Sequence, residues 1–192
     1  VILCAGNSFE RTEFKTAFCG IKDSMHGNRL WASSLKNKVE LLLYYVKQYL
    51  LNPRYFNSSI WDTFLAYYST YIAKDDFLYL YHYIPWDENK IINTLINEYN
   101  WETAEDTKNT WRIGDGTSAF YNYIYYSVAG FSEHDTFRSN QIREGVITRE
   151  EALRLVEEDN KPRYEAMADY ASIIGINLDE VLTIINSIPK LY

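Results

Sequence analysis

The sequence contains little of what several broad classes of protein require. Its two cysteines, Cys4 and Cys19, match neither a zinc-binding pattern nor a disulfide framework, so we expect both thiols to be reduced. No apolar run reaches the roughly 18 residues of a membrane-spanning helix, and no signal peptide is evident. These absences predict a cytoplasmic protein that does not enter a membrane.

Positive charge is also scarce in this chain. The chain has 19 Lys and Arg residues and 26 Asp and Glu residues, which gives a formal net charge of −7. Proteins that bind nucleic acid carry clustered basic residues, and this sequence has no such cluster, so we expect no nucleic-acid partner. A small anionic ligand held by a few arginines is compatible with the charge balance.

Aromatic residues, in contrast, are abundant. Eighteen Tyr, nine Phe and five Trp make up 17% of the chain. Tyrosine combines an apolar ring with a polar hydroxyl, so it lines grooves and interfaces as well as cores. With 47% hydrophobic residues among 192, the chain can build one good core.

Hydrophobic spacing predicts one or two strands at the start, followed by a series of helices. The apolar run at 1–5 is typical of a buried parallel strand, and because the chain opens on it we expect a piece of a longer protein. Residues 77–84 fit either a strand or a helix. Helices are predicted over 30–51, 60–73, 85–99, 119–129, 132–143, 148–159, 162–174 and 178–188.

The helix at 60–73 has almost no polar face. Its aromatic stripe predicts that the helix is buried or pairs with another chain, so a homo-oligomer is among the expected assemblies. Such a stripe is more often core than a platform for a sugar.

The stretch at 111–145 combines a Gly-Asp-Gly turn, an aromatic helix and a polar segment. Guanidinium groups suit phosphate or carboxylate, because they form paired hydrogen bonds. Asp135 and Arg138 could equally form an ordinary surface pair, since they are three residues apart on a helix. The predicted substrate-binding residues are Arg112, Asp115, Asp135, Arg138 and Arg143.

A second group of candidates follows the first strand. Ligands of α/β sheets bind beyond the carboxyl ends of the strands, where Asn7, Glu10 and Arg11 lie. These three are the predicted nucleotide-binding residues. A plain strand-to-helix turn capped by Asn7 or Ser8 is the structural alternative. The sequence identifies no catalytic residue and no metal ligand.

Two short runs carry a family resemblance. Residues 142–145 read Ile-Arg-Glu-Gly, and residues 147–152 read Ile-Thr-Arg-Glu-Glu-Ala. With the preceding residues from 130, they resemble the carboxyl-terminal region of the N-acetyl sugar amidotransferases of the PP-loop ATP pyrophosphatase superfamily. The family pattern is Ile-Arg-x-Gly, then a hydrophobic-Thr-Arg-Glu-Glu-Ala run that opens the next helix. The run Leu-Cys-Ala-Gly-Asn at 3–7 resembles the late strand of the PP-loop domain.

The resemblance implies a mainly α fold with two parts. Residues 1–29 would be the strand and loop that end an α/β PP-loop-type domain, which is adenine nucleotide α-hydrolase-like. Residues 30–192 would be a helical carboxyl-terminal region that contacts the substrate or a partner.

The resemblance also implies a reaction in surface polysaccharide (lipopolysaccharide) biosynthesis. ATP, with Mg²⁺, adenylates the acetamido oxygen of a nucleotide-linked N-acetyl sugar, and ammonia then displaces AMP to leave an acetamidino group. A separate glutaminase supplies the ammonia, so glutaminase and ammonia-channel subunits are the implied protein partners. The chain would be part of this ATP-dependent amidotransferase.

One departure from the family pattern is large. The Ser-Gly-Gly-x-Asp-Ser loop that holds pyrophosphate in the family does not occur in this sequence, so we do not expect this chain to catalyse the reaction alone. The alternative function is a non-catalytic helical module that binds a carbohydrate or a protein partner, as the Tyr-rich helices at 60–72 and 119–129 indicate. The acidic charge balance disfavours a third reading, a PP-loop relative that acts on tRNA.

Overall fold

A computed structural model describes residues 2–10, 12, 14–21, 34–73, 77–107 and 116–192. Most of these residues are helical, so the mainly helical class is confirmed. Two strands, β1 (Ile2–Cys4) and β2 (Phe77–Tyr79), form the one sheet within the described ranges. The helices are α1 (Phe14–Ala17), α2 (Leu35–Leu51), α3 (Ile60–Tyr71), α4 (Glu88–Tyr99), α5 (Thr117–Ala129), α6 (Glu133–Arg143), α7 (Arg149–Asp159), α8 (Tyr164–Ile174) and α9 (Leu178–Ser187).

The helices end where local side-chain chemistry predicts. Helix α2 stops before the Asn-Pro pair at 52–53, because proline cannot continue a helix. Asp87 caps α4, and its carboxylate accepts a backbone N–H of the first turn. Gly130 and Gly175 end α5 and α8 with φ values of 78° and 71°, a conformation that glycine adopts without strain. Residues 30–33 of the first predicted helix lie outside the described residues.

The chain divides into two compact units. We call Val1–Ser8 with Thr12–Leu80 the N-terminal unit, and Phe9–Arg11 with Tyr81–Tyr192 the C-terminal unit. The main division therefore falls between residues 80 and 81. The predicted domain boundary at 29/30 lies outside the described residues.

In the N-terminal unit, β1 and β2 pair in parallel, with Ile2 opposite Phe77. A parallel pair requires a crossover connection, and α1, α2 and α3 lie in it. The ambiguous run at 77–84 forms β2 and then a 3-10 turn at Leu80–His82. The prediction of a parallel strand is confirmed. Its expected burial is wrong, because Ile2 and Leu3 are 50% and 61% exposed.

The C-terminal unit is a helical assembly in which α5 packs against α6, α8 and α9, and α6 packs against α7. The fully buried ring of Phe137 meets Phe9 and Trp86 edge-to-face, with ring centroids 5.9 Å and 5.4 Å away. A Cβ on Gly116 would lie 2.1 Å from the carbonyl oxygen of Ala166. Glycine at 116 therefore permits the close approach of α5 to α8.

Candidate functional site

Arg138 lies at the centre of a buried polar cluster in the C-terminal unit. Its side chain is only 1% exposed. Nε donates to Asp159 Oδ2 at 2.8 Å, and the two terminal nitrogens donate to the Glu88 carboxylate at 2.5 Å and 3.2 Å. A further bond of 2.9 Å reaches Gln141 Oε1. The guanidinium is thus committed to groups on α4, α6 and α7.

The electrostatics of this cluster favour a charged arginine. Burial by itself lowers the pKa of Arg138, but hydrogen bonds and charges from Glu88 and Asp159 outweigh that effect and raise the pKa above its ordinary value. Two carboxylates surround one guanidinium, so the cluster carries a net negative charge. At least four of the five N–H donors of the guanidinium are used within the cluster, and the net negative charge of the cluster disfavours an anionic substrate at this position.

Asp135 accepts hydrogen bonds at the amino-terminal end of α6. Its Oδ2 accepts a bond from the backbone N–H of Ser132 at 2.8 Å and another from the Asn160 side chain at 2.8 Å. The Ser132 hydroxyl donates to Asn160 Oδ1 at 2.5 Å and accepts from the backbone N–H of His134. This reciprocal arrangement is a capping box that also joins α6 to the end of α7.

A second link joins α5 to α6. The Tyr121 hydroxyl donates to Glu133 Oε2 at 2.8 Å, and Asn122 Oδ1 accepts the backbone N–H of Glu133 at 3.0 Å. Asn122 and Glu133 are both buried. Together with the Arg138 cluster, these bonds fix the mutual positions of α4, α5, α6 and α7 through side chains, because buried polar groups require partners.

The predicted substrate-binding residues do not form one cluster among the described residues. Arg112 and Asp115 lie outside those residues. Asp135 and Arg138 hold the helices together, as described above. Arg143 is exposed at the end of α6, so it is the predicted residue that the structure leaves accessible to a ligand.

Arg143 has a defined orientation despite its exposure. One terminal nitrogen donates to Asn140 Oδ1 at 2.8 Å, and the Asn140 amide donates to the carbonyl oxygen of Phe9 at 3.0 Å. A guanidinium has five N–H donors. It can therefore keep the bond to Asn140 and still present donors to a carboxylate or phosphate.

The predicted nucleotide-binding residues fall in different parts of the structure. Asn7 follows β1 in the N-terminal unit, and Glu10 ends a 3-10 turn in the C-terminal unit. Both are half-buried. Arg11 lies outside the described residues.

An apolar groove of about 220 Å³ lies between α2 and α3 in the N-terminal unit. Its hydroxyl groups are largely engaged: Tyr49 donates to Thr63 Oγ1 at 3.2 Å, and Tyr67 donates to the carbonyl oxygen of Lys38 at 2.7 Å. Burial raises the pKa of Tyr67 and of Tyr45 above the ordinary value for tyrosine, so both stay neutral. The lining residues are Leu42, Tyr45, Val46, Tyr49, Leu50, Phe56, Ile60, Thr63, Phe64 and Tyr67.

The chemistry of this groove selects apolar ligands. A carbohydrate site needs several polar groups aimed at the sugar hydroxyls, and most of the hydroxyls in this groove, those of Tyr49, Thr63 and Tyr67, already have protein partners. An apolar side chain loses no hydrogen bond on entering it. The groove therefore suits a protein surface better than a sugar.

Several partners in the buried cluster have no local signal in the sequence. Glu88 suits the positive amino end of α4 by its position alone, yet its bond to Arg138 spans 50 residues. Asp159 accepts a bond from Arg138, and Asn160 donates one to Asp135, so both connect the end of α7 to α6 across more than 20 residues of sequence. Spacing rules act within a few residues, so they cannot connect these positions.

Within the described ranges, no group of three or more His, Cys, Asp or Glu side chains could hold a metal ion. Cys4 and Cys19 are free thiols, as predicted. No helix in the described part of the chain is both long and apolar enough to cross a membrane. Comparison of the chain with protein-family models, curated proteins and solved structures finds no match.

Proposed function

We propose that this chain is part of an ATP-dependent amidotransferase that converts the acetamido group of a nucleotide-linked sugar to an acetamidino group. The observation that supports it best is the position of the Ile-Arg-Glu-Gly run at 142–145. That run ends α6 and exposes Arg143, and the Thr-Arg-Glu-Glu-Ala run at 148–152 caps and opens α7. An exposed, oriented arginine at this turn can hold the diphosphate of a nucleotide sugar.

The parallel pair of β1 and β2 supports the same proposal. Parallel sheets occur almost only in α/β proteins in which helices cover both faces. Here Ile2 and Leu3 are exposed on a sheet of two strands. Such a pair is what the edge of a larger α/β nucleotide-binding domain would contain.

The loop that holds pyrophosphate in the family is not part of this chain. The sequence has no Ser-Gly-Gly-x-Asp-Ser motif. No step that involves ATP is therefore assigned to residues of this chain. Its proposed role is to bind and orient the nucleotide-linked N-acetyl sugar, while ammonia from a glutaminase partner completes the reaction.

Substitution of Arg143 tests this role. Titration calorimetry with a nucleoside-diphosphate-linked N-acetyl sugar should show binding to the wild type, and Arg143→Ala should weaken it by about tenfold or more, because a hydrogen bond to a charged group contributes about 1.5–3 kcal/mol. The matched control is Arg154→Ala, an exposed arginine on α7 outside both motif runs. Equal affinity of the wild type and Arg143→Ala would contradict the proposal, as would a wild type that does not bind.

The apolar groove favours a second candidate function, a non-catalytic helical module that binds a protein partner. Its lining is mainly apolar, and the hydroxyls of Tyr49 and Tyr67 are hydrogen-bonded within the unit. This candidate does not require the sugar site. Loss of nucleotide-sugar binding in Arg143→Ala would therefore not test the second candidate function. Binding of a protein at the groove would support that function.

A further inference from the structure

Helices α2 and α3 each expose an apolar stripe with the same spacing. Both stripes follow the positions i, i+3, i+4, i+7 and i+11, which lie on one face of a helix. The α2 stripe is 41–72% exposed and the α3 stripe is 55–74% exposed. The α2 stripe consists of Val39, Leu42, Leu43, Val46 and Leu50, and the α3 stripe consists of Trp61, Phe64, Leu65, Tyr68 and Ile72.

The two stripes belong to one preorganised surface. Hydrogen bonds from Tyr67 to Lys38 and from Tyr49 to Thr63 tie the two helices together, and the groove between them is bordered by members of both stripes. Because the two helices are already held together, the backbone loses little conformational entropy when a partner covers this surface, and this favours association.

The exposed area is what a stable dimer needs. An aromatic side chain buries about 150–250 Å². With the smaller aliphatic side chains included, the ten stripe residues at the observed exposures leave on the order of 1,000 Å² uncovered on each chain. A standard protein interface buries about 800 Å² per partner. An apolar patch of this size marks an interaction surface on a monomer.

We propose that the α2 and α3 stripes pair with the same stripes of a second copy of this chain, forming an intermolecular four-helix bundle. A two-fold interface must complement itself, because each residue pair occurs twice. All ten stripe residues are uncharged, so the stripes themselves place no like charges against each other. The α2 stripe is aliphatic and three of the five residues of the α3 stripe are aromatic, and apolar residues at this spacing are those that pack as knobs into holes between helices. The inference does not depend on amidotransferase activity, and it gives the second candidate function a specific partner.

Analytical ultracentrifugation with matched variants tests this interface. The wild type should sediment at twice the chain mass of 22.6 kDa, and Leu65→Glu and Leu43→Glu should each sediment as monomers, because each places two unpaired carboxylates in the interface. The matched control is Ala66→Glu, which adds the same charge at the next, exposed position of α3, about 100° around the helix. It should remain dimeric.

Circular dichroism must show wild-type helicity for each variant. If a glutamate variant does not fold, the double variant Leu43→Ala/Leu65→Ala replaces it and should raise the dimer dissociation constant at least tenfold. A monomeric wild type at all concentrations would overturn the inference, and so would dimers that persist in the folded stripe variants. A monomeric wild type that binds phosphatidylcholine–phosphatidylserine vesicles would also overturn the inference. The apolar stripes and the lysines of α2 would then form a membrane-binding surface.

Discussion

At the scale of single residues, Arg138 is a predicted substrate-binding residue that has a structural role in the folded chain. Its residue type and its polar neighbourhood in the sequence are typical of an anion site, yet three side chains from α4, α6 and α7 occupy its donors. A buried ion pair contributes little net stability compared with apolar packing, but breaking one leaves an uncompensated charge. The cluster therefore constrains which arrangement the helices adopt.

Arg138→Ala should lower the free energy of unfolding by about 3–5 kcal/mol, because the buried carboxylate of Asp159 and the partly buried carboxylate of Glu88 would lose their cation. Urea denaturation followed by circular dichroism measures this change. Arg154→Ala, at an exposed position, should change stability by no more than about 0.5 kcal/mol. A loss for Arg138→Ala that is no larger than the control would show that the carboxylates find other partners.

At the scale of elements, two helix caps of similar chemistry have different surroundings. Thr148 caps α7 at an exposed position, where its hydroxyl accepts the backbone N–H of Glu151 at 3.2 Å. Ser132 caps α6 in the interior and also donates to Asn160. The same local signature thus supports one helix end in solvent and another that is part of the core.

Substitution of both caps separates these two contributions. Thr148→Ala should cost about 1 kcal/mol, the ordinary value of an N-cap. Ser132→Ala should cost about 1–3 kcal/mol more, because Asn160 Oδ1 loses its donor in a partly buried site. Thermal unfolding monitored by circular dichroism measures both, and equal costs would contradict the coupling between α6 and α7.

At the scale of the whole molecule, the two units have different interiors. The C-terminal unit buries Phe137 and the polar cluster around Arg138, whereas the N-terminal unit buries Leu41 and exposes both apolar stripes. Local regions of a protein open with different free energies according to the contacts that they bury. We therefore expect the N-terminal unit to be the less stable of the two.

Leu41→Ala tests whether the units unfold separately. Truncation of a buried leucine costs about 2–5 kcal/mol, so hydrogen exchange in α2 and α3 should accelerate by at least tenfold. Exchange in α5 to α8 should be unchanged. Equal acceleration in both units, read by mass spectrometry of their peptides, would show instead that the chain unfolds as one cooperative domain.

Much of the helical architecture could be predicted from the sequence, and the candidate site could be predicted only in part. The capping residues Ser132 and Thr148 occupy the predicted helix starts, and Asp87 caps α4 two residues after the start predicted at 85. These starts could be predicted because capping involves residues two or three positions apart. The prediction that the 60–73 helix is buried within this chain is wrong, because Trp61 and the other residues of its stripe are exposed. Its pairing with another chain stays a prediction.

The sequence by itself determined that the chain is mainly helical and, to within about three residues, where most of the described helices begin and end, because caps and hydrophobic spacing act over fewer than about five residues. Only the tertiary structure decided that Arg138 is buried against two carboxylates while Arg143, five residues later, remains exposed. Which segments meet across 50 residues depends on the packing of whole helices. That packing also left the stripes of α2 and α3 uncovered.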